Sequence, residues 1–304
     1  HRLGKGDKGE QTERYKLALS LRDRSAAMLL LTATPHQGKT KRFAALLELV
    51  RPDLKHEIRT IEMNPEIVSD IIIRNKKSKV TDAEGNLLFK GHDTLRFMAQ
   101  KNAAMEGADA ALRRYLEEGY RASNSIQDKT VGRAIGFVMT TYRKLASSSV
   151  AAIETALERR LQRLLTGQHD PNVAIDFEPE NEDELGESLA LANIPVFFDD
   201  EIIQLKELIT LFKKARADDN KIKTFLNEIV GPLLRENKQL LIFTEYKATQ
   251  AYLKARLESA YQLKGHIQII NGSMSLDAKM ESVFEFNDGL SKIMISTEAG
   301  GEGL

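Results

Sequence analysis

Three loops rich in glycine and hydroxyl side chains each follow a short apolar run in the last quarter of the chain. They begin at 244–246 (TEY), 271–274 (NGSM) and 297–303 (TEAGGEG). Small residues of this kind expose backbone N–H groups and hydroxyls that hydrogen-bond phosphate oxygens without reading a nucleobase. The candidate phosphate contacts are Thr244, Gly272, Ser273, Thr297, Gly300 and Gly301. A glycine-rich loop is equally compatible with a tight turn that holds no ligand, so the residue types alone leave both interpretations open.

A second candidate lies near the N-terminus, where ATPHQGKT at 33–40 follows an apolar run and precedes a helical pattern. The triplet Gly38-Lys39-Thr40 in that setting suggests a P-loop, in which the lysine and backbone amides hold phosphates. The motif has Ala33 where the tight turn needs glycine, and no apolar strand ending in an acid to hold magnesium is evident in the hundred residues that follow. A P-loop nucleotide-binding enzyme that uses Lys39 therefore stays an alternative.

Alternating short strands and helices must position the three later loops. Apolar runs predict strands at 240–244, 267–270 and 293–296, and helical spacing predicts helices at 247–260 and 276–287. Right-handed crossovers make the strands of such a βαβαβ unit parallel, and ligands bind such sheets at the carboxyl ends of the strands. The three loops are therefore expected to meet at one edge of the sheet.

The rest of the chain is predicted to be mainly helical. Helical patterns cover 11–24, 41–50, 103–120, 149–165 and 201–228, while the continuous apolar run 26–32 predicts a buried strand before a turn at Pro35 and Gly38. Residues 56–100 predict little regular structure apart from a turn at 82–86. The acidic stretch 176–187 predicts a mobile loop, because its few apolar residues cannot repay the entropy of ordering.

Composition and charge exclude several classes of protein. The 304 residues are 42% hydrophobic and include no cysteine, which excludes a disulfide framework and a thiolate zinc site. No apolar run is long enough to span a membrane, so we expect a soluble, cytoplasmic protein. Lys and Arg total 44, as do Asp and Glu, but the stretch from Asp170 to Glu201 holds eleven acids and no base. The remainder has eleven surplus positive charges, which are compatible both with attraction of a polyanionic partner and with ordinary solvated surface.

Several segments resemble, in order, the motifs of one enzyme family. LLTATPHQGK at 30–39 resembles motif III of superfamily-two helicases in the variant of bacterial Swi/Snf-type DNA translocases. LIFTEY at 241–246 resembles motif IV, NGSM at 271–274 the Gly-Ser element of the second lobe, and ISTEAGGEGL at 295–304 motif V. His1-Arg2-Leu3 resembles the end of a DEAH box, and IRNKKSKV at 73–80 and YRKLASSS at 142–149 resemble segments found between the lobes.

The resemblance implies an α/β fold with two RecA-like lobes of the P-loop NTPase type, both incomplete, and helical insertions between them. The first lobe would end within 1–55, the insertions and linker with the acidic loop 176–187 would cover 56–225, and the first half of the second lobe would cover 226–304. The same resemblance implies that the chain is a piece of a longer protein.

The resemblance also implies roles for individual residues. His1 would be the tail of the DEAH box, and Thr32 and Thr34 would couple the nucleotide site to the nucleic-acid groove. Arg74 and Lys76 would attract the phosphate backbone, together with the loop residues already named. Gly301, Glu302 and Gly303 would lie near the nucleotide.

The activity implied by the resemblance is ATP-dependent movement on double-stranded DNA, with ATP and Mg²⁺ as cofactors of the full-length parent. The Walker A lysine, the DEAH acids and the motif VI arginines have no match within these residues, so the chain alone is predicted to be inactive. Partner proteins from a bacterial defence or DNA-repair system are a further implication. A catalytically degenerate nucleic-acid-binding scaffold built on the same lobes stays open as an alternative.

Overall fold

A computed structural model describes residues 12–32, 35–36, 38–75, 77–89, 91–166 and 196–297. The chain divides into two compact units, 1–95 and 96–304. The larger unit contains a layer of long helices and a small parallel sheet, and the smaller one is built, over its described residues, from short helices.

The first unit is organised around helix α2 (Thr40–Val50), which is buried on two sides. On one side Phe43 and Leu47 pack with residues of α3 (Lys55–Arg59) and α4 (Ile67–Ile71). On the other side Ala45 and Leu49 pack against α1 (Glu13–Asp23). A 3₁₀ turn at Pro52–Leu54 separates α2 from α3, and a second one lies at Lys77–Lys79. The helices predicted at 11–24 and 41–50 are thus confirmed.

The prediction of a strand at 26–32 is wrong. These residues have no regular hydrogen-bonded structure, and the side chains of Leu29 and Leu31 are 80% and 87% exposed. A strand exists only when a neighbouring strand satisfies its backbone groups, and no strand among the described residues pairs with this segment. The apolar run alone predicted a buried strand, but the described residues contain no strand that pairs with it.

The turn predicted at 82–86 is confirmed. An isolated antiparallel bridge joins Thr81 and Leu87, and the backbone N–H of Asn86 donates to the Asp82 carboxylate over 2.8 Å. Gly85 has a φ of 87°, a left-handed conformation that glycine adopts without steric cost.

Four long helices form the helical layer of the second unit: α5 (Ala103–Ser125), α6 (Lys129–Ser148), α7 (Val150–Thr166) and α8 (Glu201–Ala217). The side chains of Asn102 and Asp128 accept hydrogen bonds from the first turns of α5 and α6, which fixes where these helices begin. Sequence patterns predicted α5, α7 and α8 but not α6. The acidic stretch 176–187, between α7 and α8, lies outside the described residues.

A helical run follows α8 and leads into the sheet. It comprises α9 (Asn220–Thr224), a π-helical turn (Phe225–Val230) and α10 (Gly231–Arg235). The sheet then contains β1 (Leu240–Phe243), β2 (Ile267–Ile270) and β3 (Ile293–Ser296), connected by α11 (Lys247–Tyr261) and α12 (Leu276–Asn287). The predicted βαβαβ unit is confirmed.

The three strands are parallel in the order β1-β3-β2, so the last strand inserts between the first two. Residues of the sheet and α11, including Ile242, Leu257 and Ile295, share one continuous apolar core with the helices α5 to α8. The sheet therefore rests on the helical layer rather than forming a separate module.

Candidate nucleic-acid interface

The carboxyl ends of the three strands meet at one edge, as the sequence predicted. Phe243, Ser296 and Ile270 lie in register across the sheet. The next residues continue the pairing, because the backbone N–H of Thr244 donates to the Ser296 carbonyl over 3.0 Å and that of Thr297 donates to the Ile270 carbonyl over 2.9 Å. The loops that follow β1 and β2 therefore flank β3 at a separation of about 10 Å.

A buried amide network fixes this edge from below. The Gln250 side chain of α11 donates from Nε2 to the carbonyls of Ile270 and Ile295, over 2.9 and 2.8 Å. Asn271 Nδ2 donates to Gln250 Oε1 over 2.9 Å. Gln250 and Asn271 are 3% and 8% exposed, so each polar group is paired rather than solvated.

The loop after β2 is held in shape by the same asparagine. Asn271 Oδ1 accepts hydrogen bonds from the Ser273 backbone N–H over 3.2 Å and from the Ser273 hydroxyl over 2.7 Å. Ser275 then caps α12, its hydroxyl accepting from the Ala278 N–H. Gly272 and Ser273 are consequently presented at the surface in one ordered turn.

The predicted contact residues differ in accessibility. Gly272 and Ser273 are exposed and Thr244 is half-buried. Thr297 is only 6% exposed, and its carbonyl accepts the Ser296 hydroxyl over 2.8 Å. Among the described residues, the exposed contact surface at this edge is therefore formed by the loop after β2 and the end of β1.

A cavity of about 670 Å³ opens beside the end of β1. Its walls come from the C-terminal half of α6, the start of α9, the end of β1 and the start of α11. The polar and charged residues among its lining are Thr140, Arg143, Lys144, Ser147, Ser148, Ser149, Asp219, Lys221, Thr244, Glu245 and Thr249. Three basic side chains and two carboxylates thus surround the space next to Thr244.

One basic and one acidic group of this cavity are already engaged. Lys221 donates from Nζ to the carbonyls of Ser147 and Ser148, over 2.8 and 2.7 Å, and so satisfies the C-terminal end of α6. Burial lowers the pKa of Lys221, while the nearby Asp219 carboxylate raises it. The Asp219 carboxylate accepts from the first turn of α9 and from the Tyr252 hydroxyl over 3.1 Å.

Hydroxyl groups connect the α6–α7 junction to α11 at the floor of the cavity. The Thr249 hydroxyl lies 2.8 Å from the hydroxyls of both Ser148 and Ser149. Ser149 also accepts from the Ala152 N–H at the start of α7. The helical layer and the end of β1 are thus held in fixed positions around the cavity.

The N-terminal motif residues lie in the first unit. Thr32 and Lys39 are exposed and Arg74 is exposed in the irregular segment after α4. The Gly38 N–H donates to His36 Nδ1 over 3.2 Å, and the His36 ring packs edge-on against Phe43 with 5.0 Å between ring centroids. Since residues 26–32 form no strand, the strand–loop–helix setting that a P-loop at Lys39 requires is not found there.

Seven predicted site residues lie outside the described residues: His1, Thr34, Lys76, Gly300, Gly301, Glu302 and Gly303. Their assignments stay predictions. The described residues of the second unit bring Thr244, Gly272, Ser273 and Thr297 to one edge of the sheet.

Sequence reasoning did not identify Gln250 or the basic residues of α6 as parts of this region. Gln250 lies one turn after the start of α11, and its position in the sequence pattern does not predict that its side chain donates to the carbonyls of two strands. The signal for α6 was available, since the segment 129–148 contains basic residues and no acidic one.

The C-terminal part of the chain is similar to a known domain family. Residues 220–304 match the family model described as the helicase conserved C-terminal domain. The chain is helicase-like over these residues. A RecA-like α/β fold of this kind agrees with the parallel sheet, so the predicted fold class is confirmed.

Other comparisons are more distant. The crystal structure of the Hef helicase domain from Pyrococcus furiosus aligns with 70% of this chain and 47% of that chain, at 14% identity and a TM-score of 0.40. The chain thus spans about half the length of that helicase structure. A comparison with curated proteins found no match.

None of the described helices is long and apolar enough to cross a membrane. Within the same ranges, no group of three or more histidine, aspartate or glutamate side chains is arranged to hold a metal ion.

Proposed function

We propose that the chain is part of an ATP-dependent translocase that moves on double-stranded DNA, and that the edge formed by Thr244, Gly272 and Ser273 holds the phosphate backbone. The observation that carries the proposal is the coincidence of the helicase C-terminal match at 220–304 with an exposed, ordered Gly-Ser turn at the carboxyl edge. Exposed amides and hydroxyls bind phosphates without reading sequence, as movement along DNA requires.

ATP and Mg²⁺ are proposed as cofactors of the full-length protein. Since the described residues contain no cluster of carboxylates that fits a metal ion, the Mg²⁺ ligands are assigned to residues outside them. The role of these described residues is to bind and position the duplex while nucleotide binding elsewhere changes the lobes. Hydrolysis by the 304-residue chain alone is not expected.

The test is ATP hydrolysis by the full-length protein with duplex DNA, single-stranded DNA or RNA added separately. We expect duplex DNA to stimulate the rate at least about tenfold more than single strands or RNA, because the proposal assigns the groove to a duplex. The 304-residue chain, assayed in parallel, should show no hydrolysis. Equal stimulation by all three polymers, or none by the duplex, would contradict the proposal.

The hydrolysis assay tests the scaffold alternative, and nucleotide binding by a variant tests the P-loop alternative. A degenerate scaffold predicts duplex binding with no hydrolysis at any DNA concentration. A P-loop enzyme that uses Lys39 predicts that Lys39→Ala abolishes nucleotide binding, whereas the translocase proposal predicts unchanged nucleotide affinity in that variant. The absence of a strand at 26–32 favours the latter result.

A further inference from the structure

Helix α6 carries a face of unusual charge. Its sequence, KTVGRAIGFVMTTYRKLASS, contains four basic residues and no acidic one. The basic residues are Lys129, Arg133, Arg143 and Lys144, and all four are exposed. Asp128, the acid that directly precedes the helix in the sequence, caps its first turn.

These basic residues lie along one side of the helix. At 3.6 residues per turn, Lys129, Arg133, Thr140, Arg143 and Lys144 fall within about 100° of one another around the axis, on the side opposite the buried apolar residues. Gly136 and Ser147 complete the same stripe, which extends for about 27 Å from Lys129 to Ser147. We call these seven residues the basic stripe.

The four cations of the basic stripe are not neutralised locally. None of them forms an ion pair with any residue in the part of the chain that the structure describes. By contrast, Lys213 and Arg216 of α8 pair with carboxylates of α7, in Lys213–Glu158 at 2.7 Å and Arg216–Glu154 at 3.3 Å. A row of unpaired cations attracts a linear polyanion more than a compact one.

The stripe leads to the candidate interface. Thr140, Arg143, Lys144 and Ser147 at its C-terminal end line the cavity of about 670 Å³ that Thr244 also lines. The hydroxyl of Thr244 belongs to the edge to which the proposed function assigns the phosphate backbone, while its backbone N–H is bonded to the Ser296 carbonyl. The stripe and the edge therefore form one continuous surface within the second unit.

We propose that the basic stripe of α6 is a second phosphate-binding tract, which holds the sugar-phosphate backbone of the duplex on its way to the edge at Thr244. The proposal rests on the proposed function and adds a binding surface contributed by the helical layer. Charge complementarity favours this occupant, since duplex DNA presents one negative charge per about 1.7 Å of its axis, so that phosphates face all four cations along the length of the tract.

Glu245 supplies an independent check on the direction of the path. It is exposed and lines the same cavity as Thr244 and the C-terminal end of the stripe, where its carboxylate would repel a phosphate. The other carboxylate of the cavity, Asp219, is held by α9 and Tyr252. Removing the charge of Glu245 should therefore strengthen duplex binding if the backbone passes this point.

The test uses the 304-residue chain, a fluorescent duplex and anisotropy measured over a range of salt concentrations. The stripe variant is Arg133→Gln, Arg143→Gln and Lys144→Gln together. The matched control is Arg113→Gln, Lys206→Gln and Lys214→Gln, which removes the same charge from exposed positions of α5 and α8. Circular dichroism and the urea midpoint verify that both variants fold.

We expect the stripe variant to bind the duplex about tenfold or more weakly at low salt, with the slope of log affinity against log salt reduced by about 2 to 3. The control should stay within about twofold of the parent, and Glu245→Gln should bind about twofold or more tightly. Equal losses of duplex affinity in the stripe and control variants would contradict the proposed phosphate-binding tract. Unchanged or weaker binding by Glu245→Gln would contradict the proposal that the DNA backbone passes through the cavity.

Two competitors identify the source of the phosphate. Neither ATP nor polyglutamate at the same charge concentration should displace the duplex from the parent chain. Displacement by ATP would reassign the stripe to a nucleotide, and displacement by polyglutamate would reassign it to an acidic protein; either result overturns the proposal. If the basic stripe does not bind the duplex, the full-length protein can still show duplex-stimulated hydrolysis. Failure of the tract proposal and failure of the proposed function are therefore distinguishable.

Discussion

At the scale of single residues, a buried ion pair holds the helical layer together. Arg160 and Glu201 are 3% and 1% exposed, and Arg160 donates from Nε to Glu201 Oε1 over 2.8 Å. Glu201 also accepts from the Tyr115 hydroxyl over 2.9 Å and the Phe197 N–H over 2.7 Å. The guanidinium of Arg160 lies 3.7 Å from the Phe197 ring centroid. Every polar atom of the carboxylate is thus paired, which a charge in this environment requires.

Removing one partner of this pair should be costly. Arg160→Met leaves the Glu201 carboxylate buried without its counter-charge, and we expect the free energy of unfolding to fall by about 3–5 kcal/mol. Urea denaturation measures the change. The matched control is Lys213→Met, whose partner Glu158 lies 2.7 Å away at a half-exposed site, and its loss should stay below about 1 kcal/mol. Similar losses in the two variants would contradict the assigned role of burial.

Tyr142 makes stability depend on alkaline pH. Burial raises its pKa to about 12; Glu201 acts in the same direction, while Arg160 and Arg163 act against it. An unfolded tyrosine ionises near pH 10. The folded chain therefore has its full stability below about pH 10, and loses stability as the pH rises towards 12, since only the unfolded state releases the proton there.

Tyr142→Phe removes this titration. We expect the decrease in unfolding free energy between pH 9 and pH 11.5 to be smaller in the variant, by up to about 1.4 kcal/mol per pH unit within the titrating range. Urea midpoints at the two pH values provide the measurement. Some decrease should remain, because burial also raises the pKa of Tyr115 well above its ordinary value. Identical pH profiles for the two proteins would refute the assignment.

At the scale of elements, glycines let α5 and α6 approach closely. A Cβ added at Gly132 would lie 2.5 Å from the Ser123 carbonyl oxygen, a backbone atom that cannot move independently. A Cβ at Gly119 would lie 2.1 Å from Met139 Sδ, a flexible side chain that can shift. The two helices therefore pack at a distance set by Gly132.

Gly132→Ala and Gly107→Ala form a matched pair of helical substitutions. Gly132→Ala should destabilise the chain by about 1–3 kcal/mol through overpacking, despite the higher helix propensity of alanine. Gly107, in α5, has nothing within 4 Å of an added Cβ, so Gly107→Ala should stabilise by about 0.5–1 kcal/mol. Thermal unfolding followed by circular dichroism compares the two. Effects of the same sign would show that close packing does not decide the outcome.

The same glycines explain why the sequence did not predict α6. Gly132 and Gly136 lower the helical propensity of the segment, and its regularity depends on contacts with α5 that lie distant in sequence. The strands at 267–270 and 293–296 and the helix at 276–287 were predicted to the residue, because their apolar runs and turn residues are local signals. The apolar run at 26–32 shows the reverse case, in which the local signal was present and the pairing strand was not.

At the scale of the whole molecule, the candidate interface was only partly predictable. Parallel strands imply that their carboxyl ends share an edge, so the meeting of Thr244, Ser273 and Thr297 followed from the βαβαβ pattern. The burial of Thr297 and the amide network at Gln250 depend on how α11 packs against the sheet, which no local pattern encodes. The surface shared by α6 and β1 likewise arises from tertiary packing.

Charge is also organised at this scale. The sequence is neutral overall, yet eleven of its 44 acids lie between Asp170 and Glu201, a stretch with no Lys or Arg, and α6 has no acid. Duplex binding by this chain should therefore be strongly salt-dependent and independent of sequence, because backbone contacts and not base contacts are available at the edge.

The most direct test of the carboxyl edge is the duplex affinity of Ser273→Glu compared with Ser259→Glu. Both serines are exposed, but Ser259 lies near the C-terminal end of α11, towards the edge of the sheet where β2 begins. A new carboxylate at position 273 should weaken binding by about fivefold or more at low salt for two duplexes of unrelated sequence, while the same change at position 259 leaves affinity within about twofold. Equal affinities of the two variants for both duplexes would contradict a phosphate-binding edge at Ser273.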